Sequence, residues 1–225
     1  MKFVLVHGAW WNGWAWEKVA GLLEDAGHRA VVVGQLPSGG QSADGLGDLA
    51  ADVALVREIV DGLGGDVVLA GHSYGGIVIT ELAGHPGVRH SVYVSGFWPR
   101  PGQTLLDIRS EHTLEWLFAR DDGTLRVSDD PAVVRAVLAR DLDDGEFAEL
   151  YGRRLLQNAA TFVAPATAPP RAHPATYVVC EQDQGILPAN QRKMAAGADH
   201  VVSLEAAHFA PISRTREIAD VLMSV

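Results

Sequence analysis

The sequence Val67-Val68-Leu69-Ala70-Gly71-His72-Ser73-Tyr74-Gly75-Gly76-Ile77-Val78-Ile79 carries the strongest structural signal in the chain. Its first four residues are apolar and predict a buried strand, and the apolar run from Ile77 predicts a helix. Between them stands the pattern Gly-X-Ser-X-Gly at 71–75. A serine on a sharp turn between strand and helix presents its hydroxyl as a nucleophile, with glycines where side chains would clash. The alternative is a glycine-rich turn in which Ser73 only caps the helix.

The rest of the chain alternates strand-like and helix-like segments. Short apolar runs predict strands over 3–6, 28–33, 66–70, 89–94, 175–180 and 201–204. Helical spacing of apolar residues predicts helices over 14–26, 46–62, 74–84, 188–196 and 212–222. This alternation, with strands that are apolar throughout, is typical of a parallel sheet covered on both faces. We therefore predict an α/β fold with a mostly parallel sheet of about six strands and helices on both faces.

The segment 97–173 interrupts this alternation. Proline and glycine clusters lie at both of its ends, and helical patterns lie near 111–120, 131–140 and 145–158. We predict a helical lid inserted into a single domain that spans 1–225, whose core consists of 1–96 and 174–225. Its candidate pocket lining is apolar: Leu105, Leu106, Leu114, Trp116, Leu117, Phe118, Phe147, Leu150, Tyr151, Leu155 and Phe162.

Composition narrows the classes of partner. The 225 residues carry a formal net charge of −10, and phosphate binding needs clustered Lys and Arg, so we do not expect a nucleic-acid partner. Cys180 is the single cysteine and no Cys/His cluster has zinc spacing, so we expect no metal and no cofactor. The apolar run 3–6 is too short for a signal peptide, and no stretch has the length of a membrane span. We expect a cytoplasmic protein without membrane contact, and the sequence is compatible with a homodimer.

A serine nucleophile needs a base and an acid. In parallel-sheet hydrolases with such a turn, the acid and then the histidine follow the serine along the chain. Of nine histidines, His208 follows the last predicted strand and precedes the final helix, where the base belongs. Asp183 lies a few residues beyond the strand 175–180 and is the predicted acid, which would fix the imidazole tautomer. Glu181 is the competing acid.

Acyl transfer also needs two N–H donors for the tetrahedral oxyanion. We assign one to the backbone of Tyr74, which follows the nucleophile, and the other to Ala9 in the loop after the first strand. Trp10 is the neighbouring candidate for the second donor. Trp10, Trp116 and Phe209 are the predicted substrate contacts, because aromatic rings suit an apolar substrate.

With these residues in place, the chain resembles the α/β-hydrolase superfamily throughout. It resembles more narrowly the group of plant methylesterases, hydroxynitrile lyases and their bacterial esterase relatives. The segments that carry this resemblance are 3–10, 27–28, 71–76, 180–186 and 207–209. In that group the lyases have a threonine in the oxyanion loop and a lysine after the catalytic histidine. Here these positions hold Gly8 and Phe209, so the resemblance implies the esterase branch.

The sequence thus predicts a serine hydrolase that cleaves a carboxylic ester of a small, largely apolar molecule through an acyl-enzyme. Ser73, Asp183 and His208 would be its catalytic residues. Two alternatives remain open at this point. One is a hydroxynitrile lyase-like or other non-hydrolytic use of the triad, and the other is a ligand-binding or sensor protein on the same fold.

Overall fold

The computed structural model describes residues 1–109 and 116–225, and a six-stranded parallel sheet forms its centre. The described residues contain ten strands: β1 (Lys2–Val6), β2 (Arg29–Val32), β3 (Gly39–Gly40), β4 (Val67–His72), β5 (Val88–Val94), β6 (Leu117–Ala119), β7 (Thr124–Val127), β8 (Leu156–Asn158), β9 (Ala175–Cys180) and β10 (His200–Leu204). The central sheet has the order β10-β9-β5-β4-β1-β2, and every neighbouring pair in it is parallel. The predicted sheet of about six strands is therefore confirmed.

Helices cover both faces of this sheet, as predicted. The described helices are α1 (Glu17–Asp25), α2 (Leu49–Leu63), α3 (Gly75–Thr80), α4 (Leu105–Ile108), α5 (Pro131–Leu138), α6 (Asp144–Gly152), α7 (Ala160–Val163), α8 (Pro188–Ala195), α9 (Ala210–Ser213) and α10 (Thr215–Met223). On one face α1 and α10 pack against alternate strand residues such as Phe3 and Leu5. On the other face α2 and α3 pack against Val4 and Val6. Strands buried on both sides need apolar residues at every position, which explains their continuous apolar runs.

The strand ends position the site. The last residues of β1, β4 and β5 lie side by side, because Val6 pairs with Gly71 and His72 pairs with Val94. The ends of β9 and β10 continue this edge, where Cys180 pairs with Leu204. Loops that leave the carboxyl ends of parallel strands meet at one edge of the sheet, where α/β proteins bind ligands.

The inserted segment differs from the predicted helical lid. It contains α4 to α7, but also β6, β7 and β8, which join β3 from the core in a four-stranded antiparallel sheet with the order β3-β8-β7-β6. The helix predicted over 145–158 ends at Gly152, and 117–119 form a strand inside the predicted helix 111–120. Leu114 and the remainder of that predicted helix up to residue 115 lie outside the described residues. The strands are only two to four residues long, and β8 pairs with β3 and β7 from distant parts of the chain, so local periodicity could not reveal them.

Two smaller differences concern the core. The strand before Ser73, β4, continues through His72, beyond the predicted end at residue 70. The final predicted helix divides into α9 and α10 at Arg214, whose backbone angles (φ −130°, ψ 44°) are not helical. Within the two described stretches, no helix combines the length and the apolar character that a membrane crossing requires.

Candidate active site

Ser73 lies on the turn between β4 and α3 in a left-handed conformation, with a φ of 52°. This region is unfavourable for residues other than glycine, and such strain is found where function requires it. A Cβ at Gly71 would lie 2.5 Å from the carbonyl oxygen of Gly75, and a Cβ at Gly75 would lie 2.6 Å from that of Val6. Backbone atoms cannot move aside, so both flanking positions require glycine. The N-cap of α3 is Tyr74, so Ser73 stands before the capping position.

The loop after β1 passes directly beside the serine. A Cβ at Gly8 would lie 2.9 Å from the Cβ of Ser73 and 3.4 Å from its Oγ. Ala9 is buried next to this contact, and Trp10 has a left-handed φ of 63°, so the chain turns sharply here. The loop is therefore close enough for a backbone N–H to reach an oxyanion formed on the serine, as the sequence predicts for Ala9.

His7 holds this loop in position. Its Nδ1–H donates to the carbonyl oxygen of Gly8 at 2.8 Å, and its Nε2 accepts from the N–H of Leu36 at 3.1 Å. Burial lowers the pKa of His7 to about 4, although the hydrogen bond to Gly8 acts in the opposite direction. The ring is therefore neutral at pH 7 with both nitrogens engaged, so His7 has a structural role.

Asp183 and His208 come together from the loops after β9 and β10. Nδ1 of His208 lies 2.7 Å from Oδ2 of Asp183, and both side chains are buried. A carboxylate at this distance keeps the proton on Nδ1 and leaves Nε2 as an acceptor, which is the tautomer that a general base needs.

The structure distinguishes Asp183 from its competitor, Glu181. The second carboxylate oxygen of Asp183 accepts from the backbone N–H groups of Gly185 at 2.8 Å and Ile186 at 3.0 Å. These two bonds fix the carboxylate with its other oxygen facing the imidazole. Glu181 instead forms a salt bridge to Arg192 at 2.6 Å. Of the two candidate acids, only Asp183 contacts His208.

Two residues that the sequence analysis did not identify also bind the carboxylate of Asp183. The Ser95 hydroxyl donates to Oδ2 and lies 3.3 Å from Nδ1 of His208, while Nε2 of Gln191 donates to the same Oδ2 at 3.0 Å. Ser95 follows β5 with a φ of 44°, so it shares the left-handed conformation of Ser73. Ser95 follows the strand beside β4, the strand that leads to Ser73, and this position in the sequence could have indicated a residue near the site. Gln191 lies within α8 and had none.

His72, which precedes the nucleophile, supports the base. Its Nε2–H donates to the carbonyl oxygen of His208 at 2.8 Å, and the two rings lie 4.8 Å apart. Burial lowers the pKa of His72 well below its usual value, and the nearby His208 lowers it further. His72 is therefore a neutral donor that fixes the backbone of the base.

Two of the predicted substrate contacts form an aromatic cluster over the oxyanion loop. The rings of Trp10 and Trp116 meet edge to face at 5.4 Å, and Phe162 contacts Trp10 at the same distance. Phe162 also stacks on Tyr74, next to the nucleophile. Both indole N–H groups are buried and have no acceptor among the described residues.

Phe209, the third predicted substrate contact, packs within the protein. Its ring lies 4.9 Å from that of Trp11, 5.2 Å from His72 and 5.6 Å from His208. These contacts pack Phe209 against the base and its neighbours, and a contact between Phe209 and substrate stays a prediction. In the part of the chain that the structure describes, no group of three or more His, Cys, Asp or Glu side chains could hold a metal ion.

Comparison with known proteins supports the fold. The chain is 42% identical to a carbendazim hydrolyzing esterase of Nocardioides sp. (strain SG-4G) over 114 residues, which are 47% of this chain and 46% of that protein. The match thus spans about half of that relative. Methylesterase 9 of Arabidopsis thaliana is 26% identical over an alignment of 249 positions, gaps included, which covers 99% of this chain and 97% of that protein. The structure of a pyrethroid hydrolase from Sphingobium faniae superimposes with a TM-score of 0.84 at 25% identity, covering 100% of this chain and 96% of the other.

These relatives confirm the resemblance to plant methylesterases and bacterial esterases. The sequence profile described as the alpha/beta hydrolase family matches residues 3–221, nearly the whole chain. The chain therefore belongs to the alpha/beta hydrolase family.

Proposed function

We propose that this protein hydrolyses carboxylic esters of small, largely apolar molecules through a covalent intermediate on Ser73. The observation that carries the proposal is the 2.7 Å contact between Nδ1 of His208 and Oδ2 of Asp183, at the strand edge where Ser73 is held with a φ of 52°. A serine on a strained turn with a carboxylate-bound imidazole at the same edge is the arrangement that acyl transfer requires.

In the first half of the reaction, Oγ of Ser73 attacks the ester carbonyl carbon while Nε2 of His208 takes the hydroxyl proton. The carbonyl oxygen becomes an oxyanion, which the backbone N–H groups of Ala9 and Tyr74 stabilise. The intermediate then collapses, the bond to the alcohol oxygen breaks, and His208 gives its proton to the leaving alcohol. The acyl group is left on Ser73.

In the second half, water takes the place of the alcohol. His208 removes a proton from the water as its oxygen attacks the acyl carbon, and the same two N–H groups hold the second oxyanion. Collapse releases the carboxylic acid and returns the proton to Ser73. Asp183 keeps its hydrogen bond to Nδ1 and stabilises the imidazolium that forms in each half.

The surroundings of the serine support an apolar substrate. Trp10, Trp116 and Phe162 present aromatic surface over the oxyanion loop, and such rings favour flat or branched apolar groups. Relatives named as a carbendazim hydrolyzing esterase and as methylesterases support the choice of an ester.

Labelling with a fluorophosphonate tests the nucleophile and the base together. The wild-type protein should be labelled and should hydrolyse phenyl acetate, whereas Ser73→Ala should lose both properties. His208→Ala should fall by about a thousandfold or more in kcat, because the base is lost. His200→Ala is the matched control, since His200 is an exposed histidine at the start of β10. A wild-type protein that neither reacts with the probe nor cleaves an activated ester would refute the proposal.

The two alternatives make different predictions in the same assays. A lyase would release hydrogen cyanide from cyanohydrins and leave phenyl acetate intact. A sensor would bind a small ester or acid without turnover. Gly8 and Phe209 stand where the resemblance places the threonine and lysine of the lyases, and a glycine and a phenylalanine cannot replace the charge of that lysine.

A further inference from the structure

Asp52 is a fully buried carboxylate on α2 that lies outside the triad. Its Oδ2 accepts from the hydroxyl of Tyr74 at 2.6 Å and from the hydroxyl of Ser38 at 2.5 Å, and its Oδ1 accepts from the N–H of Ser38 at 2.9 Å. All three donors are neutral. Burying a carboxylate among neutral groups costs free energy, so its retention in the core calls for an explanation.

The contact with Tyr74 leads directly to the proposed oxyanion hole. Tyr74 follows the nucleophile, and its backbone N–H is one of the two proposed oxyanion donors. Its side chain is buried, with the ring stacked on Phe162 (centroids 6.3 Å apart, 15° between planes) and the hydroxyl bound to Asp52. Burial raises the pKa of Tyr74 well above its usual value, so the phenol stays protonated and donates. Tyr74 is thus held at its far end as well as by the backbone of the turn.

The inserted segment holds Asp52 from the other side. Nε2 of Gln157, on β8, donates to the Ser38 hydroxyl at 2.7 Å and to the hydroxyl of Thr161 at 3.1 Å. The N–H of Asn158 donates to the carbonyl oxygen of Ser38 at 2.9 Å. These residues form a continuous chain of hydrogen bonds from the insertion through Ser38 and Asp52 to the turn that carries the nucleophile.

We propose that Asp52 is a positioning residue for ester hydrolysis, which acts by anchoring the Tyr74 side chain and thereby the backbone N–H that stabilises the oxyanion. The inference rests on the proposed function. An oxyanion donor acts at roughly 2.7–3.1 Å from the developing charge, and a misplacement of about 1 Å from that position costs on the order of a hundredfold in rate. A rigid anchor on the side chain of the donor residue restricts such movement.

Tyr74→Phe removes the hydroxyl that donates to Asp52, and Asp52→Asn replaces the charged acceptor with a neutral amide, while both nearly keep the side-chain volume. We expect each variant to lose about tenfold in kcat on phenyl acetate with KM changed less than twofold, because the donor is displaced rather than removed. Affinity for phenylboronic acid, which forms a tetrahedral adduct with the serine, should fall by a similar factor, while inhibition by phenol should not change. The double variant should lose clearly less than the product of the two single losses, because both substitutions act on the contact between Tyr74 and Asp52.

Tyr93→Phe is the matched control, since Tyr93 is an equally buried tyrosine whose hydroxyl contacts Thr80 at 3.1 Å. It should leave boronate affinity and kcat unchanged. If Tyr74→Phe and Asp52→Asn match this control, or lose boronate and phenol affinity in parallel, the positioning role is refuted and the proposed function stands. A wild-type protein that neither cleaves phenyl acetate nor binds the boronate refutes the proposed function itself.

Discussion

The carboxylate of Asp183 offers the sharpest test of the proposed mechanism, because the hydrogen bonds around it determine what an amide would do in its place. In Asp183→Asn, the side-chain carbonyl must take the position of Oδ1, since the backbone N–H groups of Gly185 and Ile186 donate there and cannot turn away. The amide NH2 then occupies the position of Oδ2, 2.7 Å from Nδ1 of His208. Nδ1 becomes an acceptor and the ring proton moves to Nε2, so the imidazole cannot take the proton of Ser73.

The size of the expected fall in kcat follows from this exchange of tautomers. We expect kcat to fall by about 10⁴-fold with little change in KM, because the base is in the wrong protonation state in almost every molecule. The NH2 group would also face Nε2 of Gln191, whose amide is fixed by Cys180 N–H donating to its Oε1 at 2.9 Å. This contact between two donors should lower the free energy of unfolding by about 1–3 kcal/mol.

Steady-state hydrolysis of phenyl acetate and urea unfolding measure the two effects separately. Glu181→Gln is the matched control, since Glu181 is two residues away and contacts Arg192 on the surface. It should keep kcat within about twofold, because exposed ion pairs contribute little. The assignment of the acid is wrong if Asp183→Asn keeps more than a tenth of the wild-type kcat while the protein is folded, or if Glu181→Gln is the more damaging change.

Two further predictions concern the loop beside the nucleophile. In Gly8→Ala the new Cβ would lie 2.9 Å from the Cβ of Ser73, so we expect kcat/KM to fall by about a hundredfold. The control Gly21→Ala, where a Cβ meets nothing within 4 Å, should keep its activity, and equal activity of the two variants would contradict the geometry. Burial lowers the pKa of His7 to about 4, whereas in the unfolded chain this pKa has its usual value near 6.5. Between pH 6.5 and pH 4 the unfolded state therefore binds more protons than the folded state. The free energy of unfolding is highest above pH 6.5 and decreases as the pH falls through 4. Through His7 alone, the free energy of unfolding should fall by about 2.5 kcal/mol from pH 7.5 to pH 4.5. His90 and His173 act in the same direction, because burial also lowers their pKa values to about 4. Urea titrations in which the free energy of unfolding stays constant or rises towards acid pH would refute this prediction.

Local signals in the sequence predicted the structure best. The strand before Ser73 and the helix after it follow from two apolar runs and the glycines between them. The order of serine, acid and histidine along the chain was enough to select Asp183 and His208 as a pair, and the structure brings these two side chains into contact. Local signals failed in the insertion, where strands of two to four residues pair with partners far away in the chain.

The amino-acid sequence by itself determined the parallel sheet, the turn at Ser73 and the types of residue that carry the chemistry, because strand burial and turn geometry depend on neighbouring residues. Only the tertiary structure decided how those residues are held. The donation from Ser95 and Gln191 to Asp183, and the anchoring of Tyr74 by Asp52, join residues that are 88, 8 and 22 positions apart. A hydrogen bond depends on distance and angle in space, and no periodicity in the chain records which distant side chains the packing of the sheet and its helices brings within 3 Å of each other.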